Sequence, residues 1–326
     1  MNIMIYKCNI KIKKRMNQST SEIFMIRPKH FNFNKETAKN NHFQKEEKVL
    51  NNSQILERAL SEFEELAKKI KEKDVVVNIF DDREKIVTTD SVFPNNWISL
   101  HSDGKIYLYP MFSKNRRKEK RNDIIELYKK NGYYIDKIVD LSSYENEKKF
   151  LEGTGSMVLD RTNKICYAAI SERTHNDILN TFCNESGYKP VKFKAFQSHE
   201  NKRTKIYHTN VMMCIADKYS IICLDAIDNI KERNHVIKQL NQTKKEIIDI
   251  SEDQCNNFAG NMLQIKNKKN KKFLVMSKSA YDSLSKKQVK LITSYNEIIY
   301  SNLETIEKLG GGSARCMIAE NFLTRK

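Results

Sequence analysis

The strongest constraint on this chain is a supersecondary unit that recurs along it: two short strands, a helix, then a third strand. The copy beginning at Gly155 is the plainest. Ser156 to Asp160 reads as a strand, Arg161 to Lys164 as a turn and Ile165 to Ile170 as the returning strand. The helix expected over about 174–184 stops before Gly187, a residue suited to the left-handed backbone that ends helices. Lys189 to Phe196 supplies the last strand. Another copy has Trp97 to Leu100, a turn at Asp103-Gly104, Ile106 to Tyr109, and a helix over about 122–130 stopping at Gly132. A third has Asn210 to Ala216, Tyr219 to Leu224 and a helix over about 228–242. A fourth has Asn261 to Ile265, Phe273 to Met276 and a helix over about 280–294. The fifth is split across the termini: Ala314 to Ala319 pairs with Ile23 to Ile26, followed by a helix over about 54–71 and the strand Val75 to Phe80.

Completing the last copy with the first strand of the chain implies a closed ring, which leaves no sheet edge exposed. The expected fold class is α/β, a five-fold pseudosymmetric α/β propeller of ββαβ-type repeats forming one domain over residues 18–326. The competing reading is an ordinary α/β domain with coincidental spacing. In a ring, equivalent positions surround the central axis. Near the start of the first hairpin strand they are Asn96, Glu152, His208, a residue between Asn257 and Asn261, and Cys316. The first two gaps are 56 residues each and the last, His208 to Cys316, is 108, or twice 54. A carboxylate, an imidazole and a thiol therefore converge. Asn210 joins them if it lies two residues along the same strand. Gly310-Gly311-Gly312-Ser313 leaves the backbone before Cys316 free to approach a substrate. Taken alone, a cysteine or a histidine reads as an inert core or surface residue; the register makes the set point to nucleophilic chemistry. Glu200 beside His199, and Asp81-Asp82, fall outside it and read as surface.

Composition narrows the partners. The net charge of +17 invites nucleic acid, yet of 58 basic residues only 13 are arginine, the usual reader of phosphates and base edges. The lysines are spread along the chain, so no specific nucleic-acid site is expected. The densest basic run, Lys114 to Arg121, reads as the solvated opening of an amphipathic helix. No apolar run approaches the ~20 residues that cross a membrane. The seven cysteines are odd in number and show no zinc-type pairing, which suits a reducing, cytoplasmic setting and no metal. Cys214 and Cys223 sit in apolar runs and read as core. Residues 1–17 read as a disordered or removable leader, with an organellar presequence as the sharper alternative.

Three separated motifs then carry a resemblance. Leu309 to Met317 (LGGGSARCM) resembles the C-terminal cysteine motif of arginine deiminases, Leu151-Glu152-Gly153 their glutamate motif, and Tyr207-His208-Thr209-Asn210 their histidine motif. Met25 to Pro28, Phe33 to Asn41 and Val92 to Trp97 look closer to the citrulline utilization hydrolase branch of the same guanidino-group-modifying, or amidinotransferase, superfamily. The resemblance covers about residues 18–324 and implies the five-fold α/β propeller called a pentein. One departure bears on substrate. Those arginine-processing enzymes hold a guanidinium with two aspartates, where this chain has Asn96 and Asn210. An amide both donates and accepts, which suits the neutral ureido group of citrulline better than a cation.

The resemblance implies a hydrolase acting on carbon–nitrogen bonds of linear amides or amidines. Cys316 would attack the ureido carbon, His208 would carry the proton, and Glu152 would orient substrate or imidazole. Asn96 and Asn210 would bind the ureido group. Arg27, Arg161 and Arg315 are candidates to hold the substrate carboxylate. No cofactor is implied, the partner is a small amino acid, and a homo-oligomer is compatible. The alternatives are a deiminase or dimethylaminohydrolase on arginine-type substrates, an amidinotransferase, and a ring scaffold that binds a partner without catalysis.

Overall fold

Short β-branched and aromatic runs, each too brief to bury a face alone, assemble into five three-stranded sheets of one topology. The computed structural model describes residues 16–46, 49–199 and 202–325; the expectation for the leader therefore falls mostly outside the described residues. In each sheet the first two strands pair antiparallel and the third joins the second in parallel after a helical crossover. Ile98–Leu100, Lys105–Leu108 and Lys137–Asp140 form one; Val158–Asp160, Ile165–Ala169 and Lys189–Phe193 the next. Met213–Ile215, Tyr219–Ile222 and Glu246–Asp249 form the third; Leu263–Lys266, Lys272–Ser277 and Glu297–Ser301 the fourth.

The fifth sheet joins the two ends of the chain, as expected. Ala319–Glu320 pairs antiparallel with Glu22–Arg27 through Ile23↔Glu320 and Phe24↔Ala319. Glu22–Arg27 runs parallel to Val76–Asp81. The first strands face inward: Gln18 donates to the carbonyls of Leu159 and Ile215, 2.9 and 3.2 Å away in two different sheets. A cavity of about 30 Å3 lies among Leu159, Cys214, Leu263, Arg315 and Glu320, drawn from four of the sheets.

Helices cover the outside. Asn52–Lys71 starts with a capping box on Asn51 and buries Ile55, Ala59, Phe63, Leu66, Ala67 and Ile70, the spacing of one helical face. Asn122–Lys130 is followed by Gly132, and Asn176–Ser186 by Gly187, whose φ of +72° is the expected helix stop. Among the described residues no helix is long and apolar enough to cross a membrane.

Several expectations are corrected. The first strands are shorter than the apolar runs suggest: Gly153–Ser156 and Thr209–Met212 are single helical turns, and residues 314–317 form a turn before the two-residue strand. The fourth-sheet helix is broken into Lys278–Ser283 and Lys286–Tyr295, because Ser285 and Gln288 form a second capping box. The strand expected to reach Phe196 ends at Phe193, and Phe196–His199 pairs instead with Lys202–Lys205 in a separate hairpin. Lys114 to Arg121 does not open a helix; Asn115–Glu119 is a 3-10 turn with Arg116 only 2% exposed. Asp82 is buried too, accepting from the Thr88 and Ser91 hydroxyls at 2.6 and 2.7 Å, because it pins the loop leading to Asn96.

Glu62 ties the outer layer to the segment that delivers Cys316. Its buried carboxylate accepts from the amides of Thr305 and Ile306 at 2.8 and 3.0 Å, at the start of the helix Glu304–Gly310. Glu62→Ala leaves those amides unpaired and is expected to cost about 1–3 kcal/mol in urea unfolding. An unchanged midpoint would contradict this role.

Candidate active site

The register positions lie not on the inner strands but on the turns just before them. Asn96 ends the 3-10 turn Pro94–Asn96, Glu152 and His208 cap one-turn helices, and Cys316 lies in the 314–317 turn. The open fifth position is filled by Asn261, two residues before its strand. Adjacent turns pack closely: a Cβ on Gly153 would meet the Asn95 carbonyl at 2.3 Å, so only glycine fits. Correspondingly, Asn210 reaches the site from a helical turn, not from the alternation of a strand.

Two contact sets define the centre. His208 Nε2 lies 2.8 Å from Glu152 Oε2, and the other carboxylate oxygen accepts from Phe112 N at 2.9 Å. Cys316 Sγ receives Asn210 Nδ2 and Asn261 Nδ2, each at 3.3 Å. Asn96 and His208 flank one point, because a Cβ on Gly155 would lie 2.5 Å from Asn96 Nδ2 and 2.8 Å from the His208 ring. Cys316 is 4% exposed, and Asn96, Glu152, His208, Asn210 and Asn261 are all buried.

Two arginines that sequence reading passed over complete the site. Arg173 stands 3.5 Å from Glu152, with its guanidinium 4.7 Å from the centre of the Tyr207 ring. Arg116 donates to Asn96 Oδ1 at 2.8 Å while gripping Glu119 through two bonds of 2.9 and 2.8 Å. Asp90 adds a carboxylate 3.6 Å from Arg116. The available signal for Arg116 was Glu119 three residues on, an ion-pair spacing hidden inside a basic run.

Of the arginines proposed to hold the substrate carboxylate, none lines this cluster. Arg27 is engaged at the surface with Glu64 and Asp81, at 2.5 and 2.7 Å. Arg161 and Arg315 share Glu320 at 3.2 and 2.9 Å beside the axial cavity. The segment containing Phe33 to Asn41 instead covers the site. Asn41 donates to the Gly311 carbonyl at 3.3 Å and Gln44 to that of Leu309 at 2.8 Å. Arg173 donates to the Thr37 carbonyl and to Asn40 Oδ1, both at 3.0 Å.

Electrostatics separate the paired groups. Burial opposes the charge of Glu152, but Arg173, His208 and Arg116 outweigh it and hold the carboxyl well below its usual range. Burial pushes His208 down to about 4, against the pull of Glu152 and with help from Arg173 and Arg116. The imidazole is therefore neutral at pH 7. Among the described residues no cluster of three or more His, Cys, Asp or Glu could hold a metal. The described cysteines are free and buried.

Five like sheets meeting at a buried thiol, imidazole and carboxylate define the pentein class of guanidino-group-modifying proteins. The chain belongs to the N,N dimethylarginine dimethylhydrolase family, whose eukaryotic model matches residues 27–323. This is a family of hydrolases acting on carbon–nitrogen bonds. No curated protein matches the sequence. Solved structures share the fold at low identity. The N-terminal domain of ArgZ, described as an arginine dihydrolase from the ornithine-ammonia cycle in cyanobacteria, was solved as a cysteine-to-serine mutant bound to substrate. It is 18% identical over 93% of this chain and 99% of that one, with a TM-score of 0.67. An AgrE cysteine-to-alanine mutant with L-arginine is 19% identical over 92% of this chain and 40% of that one, TM-score 0.67. A dimethylarginine dimethylaminohydrolase adduct with S-methyl-L-thiocitrulline is 14% identical over 93% and 99%, TM-score 0.61. This chain spans 40% of the length of full-length ArgZ.

The His208 shift predicts a pH dependence. Between about 4 and the ordinary value of 6.5, an unfolded histidine binds a proton that the folded one refuses. Stability therefore rises with pH through this window and is lost as pH falls through it. Between pH 7 and pH 5 the loss attributable to His208 is about 2 kcal/mol. Urea unfolding at both pH values should show a shallower dependence for His208→Asn than for wild type; equal slopes would contradict the assignment.

Proposed function

We propose that this chain hydrolyses the ureido group of citrulline, or of a close relative, to an amine, ammonia and carbon dioxide through a covalent bond to Cys316. The observation that carries the reading is the orientation of the two amides. Arg116 can only donate, so Asn96 turns Oδ1 toward it; its Nδ2 donates to Asn95 Oδ1 at 3.1 Å, which leaves one N–H on the side of Gly155 and His208. Asn210 points Nδ2 at the sulfur, leaving a buried Oδ1 without a partner. One N–H donor and one free acceptor match a neutral group with a carbonyl and N–H bonds. A guanidinium has no acceptor and would face the Asn96 N–H unfavourably.

In the proposed sequence the neutral His208 takes the thiol proton as Cys316 Sγ attacks the ureido carbon. The imidazolium, steadied by Glu152, returns that proton to the departing nitrogen, leaving an S-carbamoyl enzyme. His208 then removes a proton from water, whose oxygen adds to the carbonyl carbon; the carbon–sulfur bond breaks, the proton returns from His208 to Cys316, and the released carbamic acid decomposes to ammonia and carbon dioxide. Arg173 positions Glu152 and the covering segment together: its Nη1 lies 3.5 Å from Glu152, while Nε and Nη2 donate to Asn40 Oδ1 and the Thr37 carbonyl. The free, buried cysteines suit a reducing compartment such as the cytoplasm.

A second reading, hydrolysis of arginine or a methylated arginine, is favoured by the ionised Glu152 in the cluster and by the fold shared with the arginine-bound AgrE mutant. The two separate on purified protein offered citrulline, arginine, methylated arginines and agmatine, with ammonia and amino-acid products assayed. Citrulline should turn over best, and Cys316→Ser should abolish turnover. Asn210→Asp removes a donor and adds a charge, so kcat/KM for citrulline should fall by roughly 5- to 150-fold. Asn96→Asp combined with it should hurt citrulline more. A wild type that prefers arginine, or an Asn210→Asp protein unchanged on citrulline, would overturn the ureido reading in favour of the second.

A further inference from the structure

The fifth turn of the ring supplies an amide whose position nothing above requires. Asn261 is fully buried, and its orientation is fixed from two sides. Its Oδ1 accepts the Arg315 backbone N–H at 3.1 Å, and its Nδ2 donates to the Asn210 carbonyl at 2.9 Å. A backbone amide can only donate and a carbonyl can only accept, so the amide cannot be reversed. Its remaining N–H therefore faces Cys316 Sγ, 3.3 Å away. The sulfur thus sits between two amide donors, Asn261 and Asn210, carried by the two turns that precede neighbouring inner strands.

We propose that Asn261 is a catalytic residue whose N–H stabilises negative charge on the Cys316 sulfur, both as the thiol proton passes to His208 and when sulfur leaves as the intermediate breaks down. The inference rests on the reading of Cys316 as the nucleophile but not on the identity of the substrate. A donor at 3.3 Å stabilises a thiolate far more than a thioester-like sulfur, whose lone pairs are weak acceptors. It therefore favours two moments: loss of the thiol proton, and cleavage of the carbon–sulfur bond, which returns the electron pair to sulfur. Asn210 shares the first task but also keeps a buried oxygen without a partner. Asn261 has no polar atom left for substrate. The division predicts that Asn261 controls the sulfur and Asn210 controls both sulfur and specificity.

The test uses iodoacetamide, which reports thiolate without any substrate, with labelling of the Cys316 peptide followed by mass spectrometry across pH 5–10. Asn261→Asp keeps the bond from Arg315 but places an acceptor, and a negative charge, beside the sulfur. Labelling at pH 7 should slow by roughly tenfold or more, and the pH midpoint of labelling should move upward. Asn261→Ser, which removes the donor without adding charge, should shift the midpoint in the same direction by less, and provides the comparison if the aspartate variant fails to fold. Both should keep the wild-type ranking of citrulline over arginine. A purely structural Asn261 would lower the unfolding temperature while leaving the labelling–pH curve in place. A folded variant whose curve coincides with wild type overturns the proposal. Failure of the ureido reading would appear separately, as a changed substrate ranking in wild type.

Discussion

Two residue pairs carry the architecture: Ile23 with Glu320, and Phe24 with Ala319. Through them the last inner strand of the chain becomes part of a sheet whose other strands lie near the beginning. Cys316, three residues before that strand, is brought against turns more than fifty residues away in sequence. The pairing is short but well supported. Phe24 is fully buried against Phe80, Trp97 and Tyr128, and Thr20 donates to the Asn321 carbonyl at 2.5 Å. The buried cluster around Cys316 is therefore a consequence of ring closure.

Within the ring, titratable groups surround the Cys316 cluster, and burial pushes the Glu119 carboxyl up to about 7 and raises that of Asp90. Glu152, Arg173, Arg116, Glu119 and Asp90 form a buried network in which each carboxylate has a cation or several donors. Such a network is costly to bury and rests on charge-assisted hydrogen bonds, among them the paired bonds from Arg116 to Glu119; Asp90 Oδ1 is left without a partner. Beside the network lie two amides, Asn96 and Asn210, and an imidazole kept unprotonated by burial.

The sequence made the ring and its five register positions legible, because closure requires repetition and repetition survives in apolar spacing. Glu152, His208, Asn96 and Cys316 could be read from their separations, and Asn261 fell within the interval left open for the fifth position. Arg116 and Arg173 could not be read in the same way. Arg173 is placed by Glu152, distant in sequence, and the nearby Glu119 that grips Arg116 is masked by the basic run around it. The inner strands came out shorter than their apolar runs because the same buried side chains serve equally well in a helical turn. The hairpin formed by Phe196–His199 and Lys202–Lys205 was missed since its residues are largely polar and its pairing is set by tertiary context. The break before Ser285 was readable, as Ser285 and Gln288 spell a capping box.

The central claim is that Cys316 takes the carbamoyl group of citrulline onto its sulfur. A rapid acid quench of enzyme in excess over citrulline, followed by peptide mapping by mass spectrometry, tests it most directly. The account predicts a transient adduct of carbamoyl mass on the peptide containing Cys316, appearing as ornithine is released, decaying as ammonia and carbon dioxide form, and absent in Cys316→Ser. Product formation with Cys316 unlabelled throughout the first turnover, or an adduct on another residue, would contradict it.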